Sequence, residues 1–365
     1  MNRDKDMKKA VLFPYENDLE YIVKNRSIIK DISLVGLLSL PGFGNINSHV
    51  ICSDRSFVVY DDIDIISEET DIDVLLVVQG NRKCDFGILY EKCETAAAMG
   101  VSIWSSICLT EEEYEIILLL CGKYGVEFKK LNDISEPQDF FSKALPEIHT
   151  PIIAVTGMGE RCNQLAIQIE LFNRLCKKGY TISGISSIPM DLFEGIHPLP
   201  QYMIGHQIDE QSKIINYSHL VKQIEQDEKP DAIVISVPEG IMPLTRKRTG
   251  NFGITAYEIF NAVSPDFTIL SLYQDSYQDK YFDEINRLLS YRFNIEADCF
   301  YMRALSIDKF SVNLEMPLKY VNADIESNKE LCSKYEHKVF HESDYEGIVN
   351  YMIFTLENYE RIEVI

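Results

Sequence analysis

The chain is poor in positive charge: 35 Lys and Arg stand against 57 Asp and Glu, a formal net charge of −22. Displacing counterions from a phosphate backbone needs clustered Lys and Arg, so this balance argues against non-specific nucleic-acid binding. It also disfavours an anionic membrane surface. No apolar run approaches the roughly 20 residues of a spanning helix. The stretch from Met1 to Lys9 carries positive charge, but the apolar run after it ends at Pro14, too short for the core of an export signal. No two cysteines have C-x-x-C spacing, and no histidines have the H-x-x-H or H-E-x-x-H spacing of a zinc site. No metal is expected. Repeats and low-complexity tracts are also missing.

What is there fits an ordinary globular chain. Hydrophobic residues make up 46% and charged residues 25% of 365 positions, enough for two domains with separate cores. Nine scattered cysteines, an odd number, fit reduced thiols and a cytoplasmic location. Eight of them read as small buried hydrophobes. Cys162 differs, because it falls beside an expected helix N-terminus, where a thiolate is stabilised.

Residues 1–130 alternate strand and helix. Apolar runs at 9–14, 32–40, 74–78, 101–103 and 126–128 read as strands. Helical patterns cover 19–29, 86–99 and 111–123. Such alternation implies a parallel sheet of Rossmann-like type. Gly42-Phe-Gly44 follows a strand but lacks the third glycine and a helix, so it makes a weak dinucleotide fingerprint. The acidic run at 61–71 reads as a solvated loop or helix face, because it lacks oxygen-ligand spacing and an anchoring glycine. Residues 131–150, polar and with two prolines, read as a linker containing a short helix.

The second domain, 151–365, opens on Pro151-Ile-Ile-Ala-Val-Thr-Gly-Met-Gly-Glu-Arg-Cys-Asn-Gln164. An apolar strand, a Gly loop and a helix follow one another, the layout of a phosphate-binding loop. Written against G-x-x-x-x-G-K-[ST], the first glycine is Gly157, but Cys162, Asn163 and Gln164 replace the second glycine, the lysine and the hydroxyl. Met158 also excludes the form with an early signature lysine. Further strands at 180–185, 231–237, 267–273, 299–302 and 338–340 alternate with helices at 217–227, 281–291 and 345–359. The expected fold is therefore α/β, with two parallel-sheet three-layer domains. The N-terminal one is Rossmann-like and the C-terminal one a degenerate P-loop NTPase-like domain.

Ligands of open parallel sheets sit beyond the carboxyl ends of the strands. The expected topology brings Gly157, Met158, Gly159, Glu160, Arg161, Cys162, Asn163 and Gln164 to that edge, with Ser186, Asp191, Glu239 and Gly240. Arg246 and Arg248 follow in the only dense basic stretch of the chain. The glycines and the helix start favour an anion, and Arg161 or Arg248 supplies the charge of the missing lysine. Glu160 opposes a phosphate. Glu239, at a strand end, stands where an acid holds Mg²⁺ or polarises water in P-loop enzymes. A Cys162 nucleophile with His197 or His206 as its base is a further option. The other reading is a vestigial loop that only turns a strand into a helix.

The order strand, Gly157 loop, helix, strand with Ser186-Ser187, strand with Glu239-Gly240 resembles dethiobiotin-synthetase-like P-loop domains. Across nearly its full length, the chain also resembles a family called peptide maturation system proteins. Lys9-Ala-Val-Leu-Phe-Pro-Tyr-Glu-Asn17 and Thr156-Gly-Met-Gly-Glu-Arg-Cys-Asn163 carry that similarity. Members are encoded in bacterial cassettes with short Cys-rich precursor peptides and radical-SAM maturases. The resemblance implies a pathway rather than a reaction: an accessory protein that binds a peptide or maturase partner, and a nucleotide or other phosphate-bearing ligand at the loop. The rivals are an ATP- and Mg-dependent ligase or acyl-group transferase and a non-catalytic scaffold. Base rates point to a homodimer through the second domain.

Overall fold

Continuous apolar runs become strands covered on both faces, as a parallel sheet between helices requires. The structure, a computed structural model, describes residues 7–43, 46–52, 55–80, 84–132, 136–138, 140, 144–205, 208–312 and 318–359. Gly44 and His206, named above, lie outside them. The chain divides into two units, Met1–Asp133 with Pro189–Glu194, and Ile134–Ile188 with Gly195–Ile365.

In the first unit the strands are β1 Lys8–Phe13, β2 Ile32–Leu38, β3 His49–Ile51, β4 Ser56–Tyr60, β5 Val74–Val77, β6 Ser102–Ser105 and β7 Phe128–Lys130. They form one sheet in the order β3-β4-β2-β1-β5-β6-β7. All pairs are parallel except the β3–β4 edge hairpin. Its helices are α1 Glu20–Lys24, α2 Ile63–Glu69, α3 Phe86–Ala98 and α4 Glu111–Tyr124. The helix expected over 19–29 is broken, because α1 is flanked by short 3₁₀ turns at Asn17–Leu19 and Arg26–Ile28. The acidic run contains α2, whose first turn is capped when the Asp64 N–H donates to the Asp62 carboxylate at 3.1 Å. A reciprocal Thr110–Glu113 capping box starts α4, and Gly125 ends it at φ 71°. Residues 189–194 complete this unit: Ile29 bridges Phe193 and Asn132 bridges Met190.

The second unit carries β8 Ile152–Gly157, α5 Gln164–Lys177, β9 Ile182–Ile185, β10 Ile196–His197, α6 Gln201–Ile204, α7 Glu210–Glu228 and β11 Ala232–Ser236. After these come α8 Ile254–Ala262, β12 Phe267–Tyr273, α9 Asp279–Phe293, β13 Cys299–Arg303, β14 Leu305–Ile307 and α10 Lys309–Val312. The chain closes with β15 Tyr320–Asn322, α11 Ile325–Cys332, β16 Val339–His341 and α12 Tyr345–Tyr359. Seven strands make a wholly parallel sheet, β10-β9-β11-β8-β12-β13-β16, while β14 and β15 pair separately. Helix α5 packs against α12, and α7 against α8.

Two differences from expectation have simple causes. Helix α7 starts seven residues before the pattern at 217 because Asp209 caps it, accepting the Ser212 N–H at 2.9 Å. No helix occurs among the described residues of 131–150. Instead α7 holds that segment by its backbone. The Asn216 side chain accepts the Gln138 N–H at 2.7 Å and donates to the Gln138 carbonyl at 3.1 Å. The Glu225 carboxylate accepts the His149 and Thr150 N–H groups at 2.6 and 2.7 Å.

Candidate functional site

The chain leaves β8 through α5 towards β9, whereas β12, on the other side of β8, continues outward to β13. Strand order thus reverses between β8 and β12, the position where open α/β sheets bind ligands. The turn at 157–163 rises from β8 at this point. It is filled from within.

Cys162, in place of the second glycine, is fully buried. A Cβ added to Gly157 would come 2.7 Å from the Cys162 Cβ and 2.5 Å from the Gln164 amide nitrogen. Only glycine fits at 157. Burial pushes the Cys162 thiol up to about 11, against the opposing pull of the Gly159 N–H, the Tyr273 hydroxyl and the Arg303 guanidinium. Backbone donors that would face a bound anion therefore face this chain's own sulfur. The stabilised thiolate expected at Cys162 is overturned, because desolvation outweighs the donors around it.

Gln164, in place of the hydroxyl residue, turns its amide to the neighbouring strand and donates to the Glu239 carbonyl at 2.7 Å. Gly240 lies against the turn: a Cβ there would stand 2.7 Å from the Gly159 Cα and from the Met158 carbonyl oxygen. The Ile241 N–H donates to the Gly157 carbonyl at 3.0 Å, and the Met158 N–H to the Ser271 carbonyl at 2.9 Å. Asn163 adopts the left-handed conformation at φ 62° and gives α5 no side-chain cap. Arg161, also left-handed at φ 62°, stacks its guanidinium over Tyr320 at 4.9 Å. Its carbonyl accepts from Arg303, and the Glu160 carbonyl accepts from the Tyr273 hydroxyl. The Ser271 hydroxyl donates to the Cys162 carbonyl at 2.6 Å. The carboxylate of Glu160 is exposed.

Glu239 lies beside the turn at φ 60°, its carboxylate accepting the Thr255 hydroxyl at 3.2 Å. The remaining expected groups separate from it. Ser186 is buried and accepts the Ile188 N–H at 3.0 Å. Asp191 lies in the first unit, paired with Lys30, because residues 189–194 join that unit. Arg246 is exposed at the tip of a tight turn, and Arg248 closes it by accepting the Leu244 N–H on its carbonyl at 2.9 Å. His197 contacts Glu228 at 2.6 Å on edge strand β10, three strands from β8. The expected pairing of Cys162 with His197 as base does not occur.

Sequence reasoning missed Ser271 and Arg303, which hold the turn from neighbouring strands, and Thr255, which holds Glu239. It also missed a buried ion pair between Lys213 on α7 and Glu258 on α8, 3.4 Å apart. Burial raises the Glu258 carboxyl, and Lys213 opposes that in part. Cavities lie elsewhere in this unit. One of about 460 Å³ is lined by Phe140, Asn216 and His219 beside α7. Another of about 470 Å³ opens at the amino ends of the strands, lined by Ile153, Leu175, Ile182 and Met352. Among the described residues, no cluster of three His, Cys, Asp or Glu side chains has the arrangement of a metal site. No helix among them is long and apolar enough to cross a membrane.

No family model and no curated protein matches the sequence. Among solved structures, the chain is similar to a DUF1611 family protein from Anabaena variabilis, with a TM-score of 0.61 and 9% identity. That alignment covers 90% of this chain and 92% of the other. A nucleotide-binding protein from Archaeoglobus fulgidus, in complex with ADP, aligns with a TM-score of 0.31 and 12% identity over 57% of this chain and 88% of its own. The second overlap is too slight to carry an argument, and the first is a likeness of fold alone. At that level, the α/β fold described above is shared over nearly the whole chain.

Proposed function

We propose that this protein is a non-hydrolysing accessory protein in the maturation of a ribosomally made Cys-rich peptide, acting by binding a peptide or maturase partner in the cytoplasm. The observation that carries the non-hydrolysing part is the filled turn. Cys162 is buried in the turn with the Gly159 N–H drawn to it, Gln164 turns its amide to the Glu239 carbonyl, and Gly240 packs on Met158 and Gly159. The loop then serves as a rigid strand-to-helix connection. The pathway is supported by the sequence resemblance carried at 9–17 and 156–163.

The rival ligase or acyl-group transferase draws on Glu239, which lies at the strand end beside the turn. Its carboxylate is tied to Thr255 and its carbonyl to Gln164. Thermal unfolding with ATP or GTP and Mg²⁺, from micromolar to millimolar, separates the readings. The accessory reading expects an unchanged melting temperature, together with co-purification of the short Cys-rich peptide from its own cassette. A concentration-dependent rise, with turnover abolished by Glu239→Gln, would establish the enzyme instead. A chain that retains neither nucleotide nor peptide would be a scaffold.

A further inference from the structure

Between β11 and α8 the chain does something costly. Gly250, Asn251, Phe252 and Gly253 all have positive φ, at 49°, 50°, 56° and 69°. Glycine and asparagine tolerate that region, but a bulky residue rarely adopts it. Phe252 does, and the residue is 53% exposed. The surrounding contacts enforce the conformation. Its N–H donates to the Thr249 carbonyl at 2.7 Å, and its carbonyl accepts from Arg292 on α9. Gly253 passes so close to Ile241 that a Cβ would meet that carbonyl oxygen at 2.3 Å.

Strain that presents an apolar ring to water gains nothing for the isolated fold. Strained backbone of this kind gathers at functional surfaces. Two further exposed apolar residues follow it in sequence. Ile254 and Tyr257, three apart and so on one face of α8, are 40% and 47% exposed. The opposite face of the same helix is buried through Ala256, Ile259 and Phe260. Immediately before the strained turn comes Thr245-Arg-Lys-Arg248, the dense basic stretch of a chain with net charge −22, with Arg246 and Lys247 exposed. An aromatic and aliphatic centre beside cationic groups is the composition of a recognition patch. On this chain, the charge selects a partner of opposite sign.

We infer that the face made by Arg246, Phe252, Ile254 and Tyr257 docks an acidic peptide segment that carries large apolar side chains. This rests on the reading of the chain as a binding protein and gives that reading a surface. The acidic residues face Arg246 and the apolar side chains cover Phe252 and Tyr257.

The test uses the full chain and a short fluorescein-labelled peptide of alternating Glu and Leu, with a Lys-Leu peptide as control, followed by anisotropy. The Glu-Leu peptide is expected to bind more tightly than the control, and more weakly as salt rises. Phe252→Asn is the decisive variant, since asparagine tolerates positive φ. It is expected to leave the melting temperature equal or higher while weakening binding by about tenfold or more. Arg246→Glu should weaken binding and flatten its salt dependence. Equal binding of both peptides, or wild-type affinity in both variants, overturns the inference. So does a concentration-dependent dimer that Phe252→Asn dissolves, because the occupant would then be a second copy. Capture of the Cys-rich peptide by wild type and Phe252→Asn alike would remove this surface and leave the proposed function standing. Glu-Leu binding that is lost in the variants, without capture of that peptide, would do the reverse.

Discussion

The Gln164 side chain crosses from the start of α5 to the backbone of Glu239, donating its amide to that carbonyl at 2.7 Å. Two loops of the sheet edge are thereby closed on each other by the residue that stands where phosphate-binding loops carry their metal-side hydroxyl. Gln164→Ala leaves the Glu239 carbonyl without this donor. We expect a loss of about 1–3 kcal/mol in urea unfolding, the usual penalty for a buried polar group left unsatisfied. A variant as stable as wild type would make the bond incidental.

Gly240→Ala tests the steric side of the same closure. Its methyl would enter a space already held by the Gly159 Cα and the Met158 carbonyl, both 2.7 Å away. Overpacking against backbone should cost about 1–3 kcal/mol. Gly122 is the control: it lies inside α4 with open space around its Cα. There, alanine should raise stability by about 0.5–1 kcal/mol through helix propensity.

The buried thiol gives a pH signature with a definite sign. An unfolded Cys162 ionises near 9.0 and the folded one at about 11, so above pH 9 the native state holds more protons than the unfolded state. Its contribution to stability is complete below pH 9.0 and is lost as pH rises to about 11. Cys162→Ala should flatten that limb of the stability curve. Thiol reagents near neutral pH should label exposed Cys108 and Cys176 well before Cys162, which should react only on unfolding. Rapid native labelling at Cys162 would contradict the burial described.

Lys213 and Glu258 form a pair in which each partner is needed because the other is present. Both side chains are almost wholly out of water, and one Glu258 oxygen has no hydrogen-bond partner. Lys213→Met alone should cost about 3–5 kcal/mol, since it leaves an uncompensated buried carboxylate. Adding Glu258→Leu should recover much of that loss. A double-mutant cycle by urea denaturation measures the difference, and simple additivity would show that the two do not interact.

The fold was largely legible where side-chain burial alone decides structure. Ile152–Gly157, Ala232–Ser236 and Phe267–Tyr273 are mainly apolar runs buried along their whole length, as central parallel strands are. The C-terminal helix, Tyr345–Tyr359, also follows its pattern. Helix α8 was hidden because Ile254 and Tyr257 point outward, which blurs the alternation of apolar and polar faces. The candidate site was legible as a layout and not as contents. Spacing places Cys162 and Gln164 on the turn, but rotamers decide that the sulfur turns inward and the amide sideways. Asp191 was misplaced for another reason: sequence order cannot tell that a short segment pairs with residues more than a hundred positions earlier.

That excursion of Pro189–Glu194 into the first unit has a consequence for biogenesis. Domains commonly fold one after another as the nascent chain emerges. Here the amino-terminal unit lacks a piece until residue 194 has been synthesised, by which time the first two strands of the second sheet already exist. The backbone at Ile29 and at Asn132 waits without its bridging partner throughout that interval. Severing the chain near residue 150 would yield two fragments that need each other rather than two autonomous modules, and mixing them should regenerate structure that neither half holds alone.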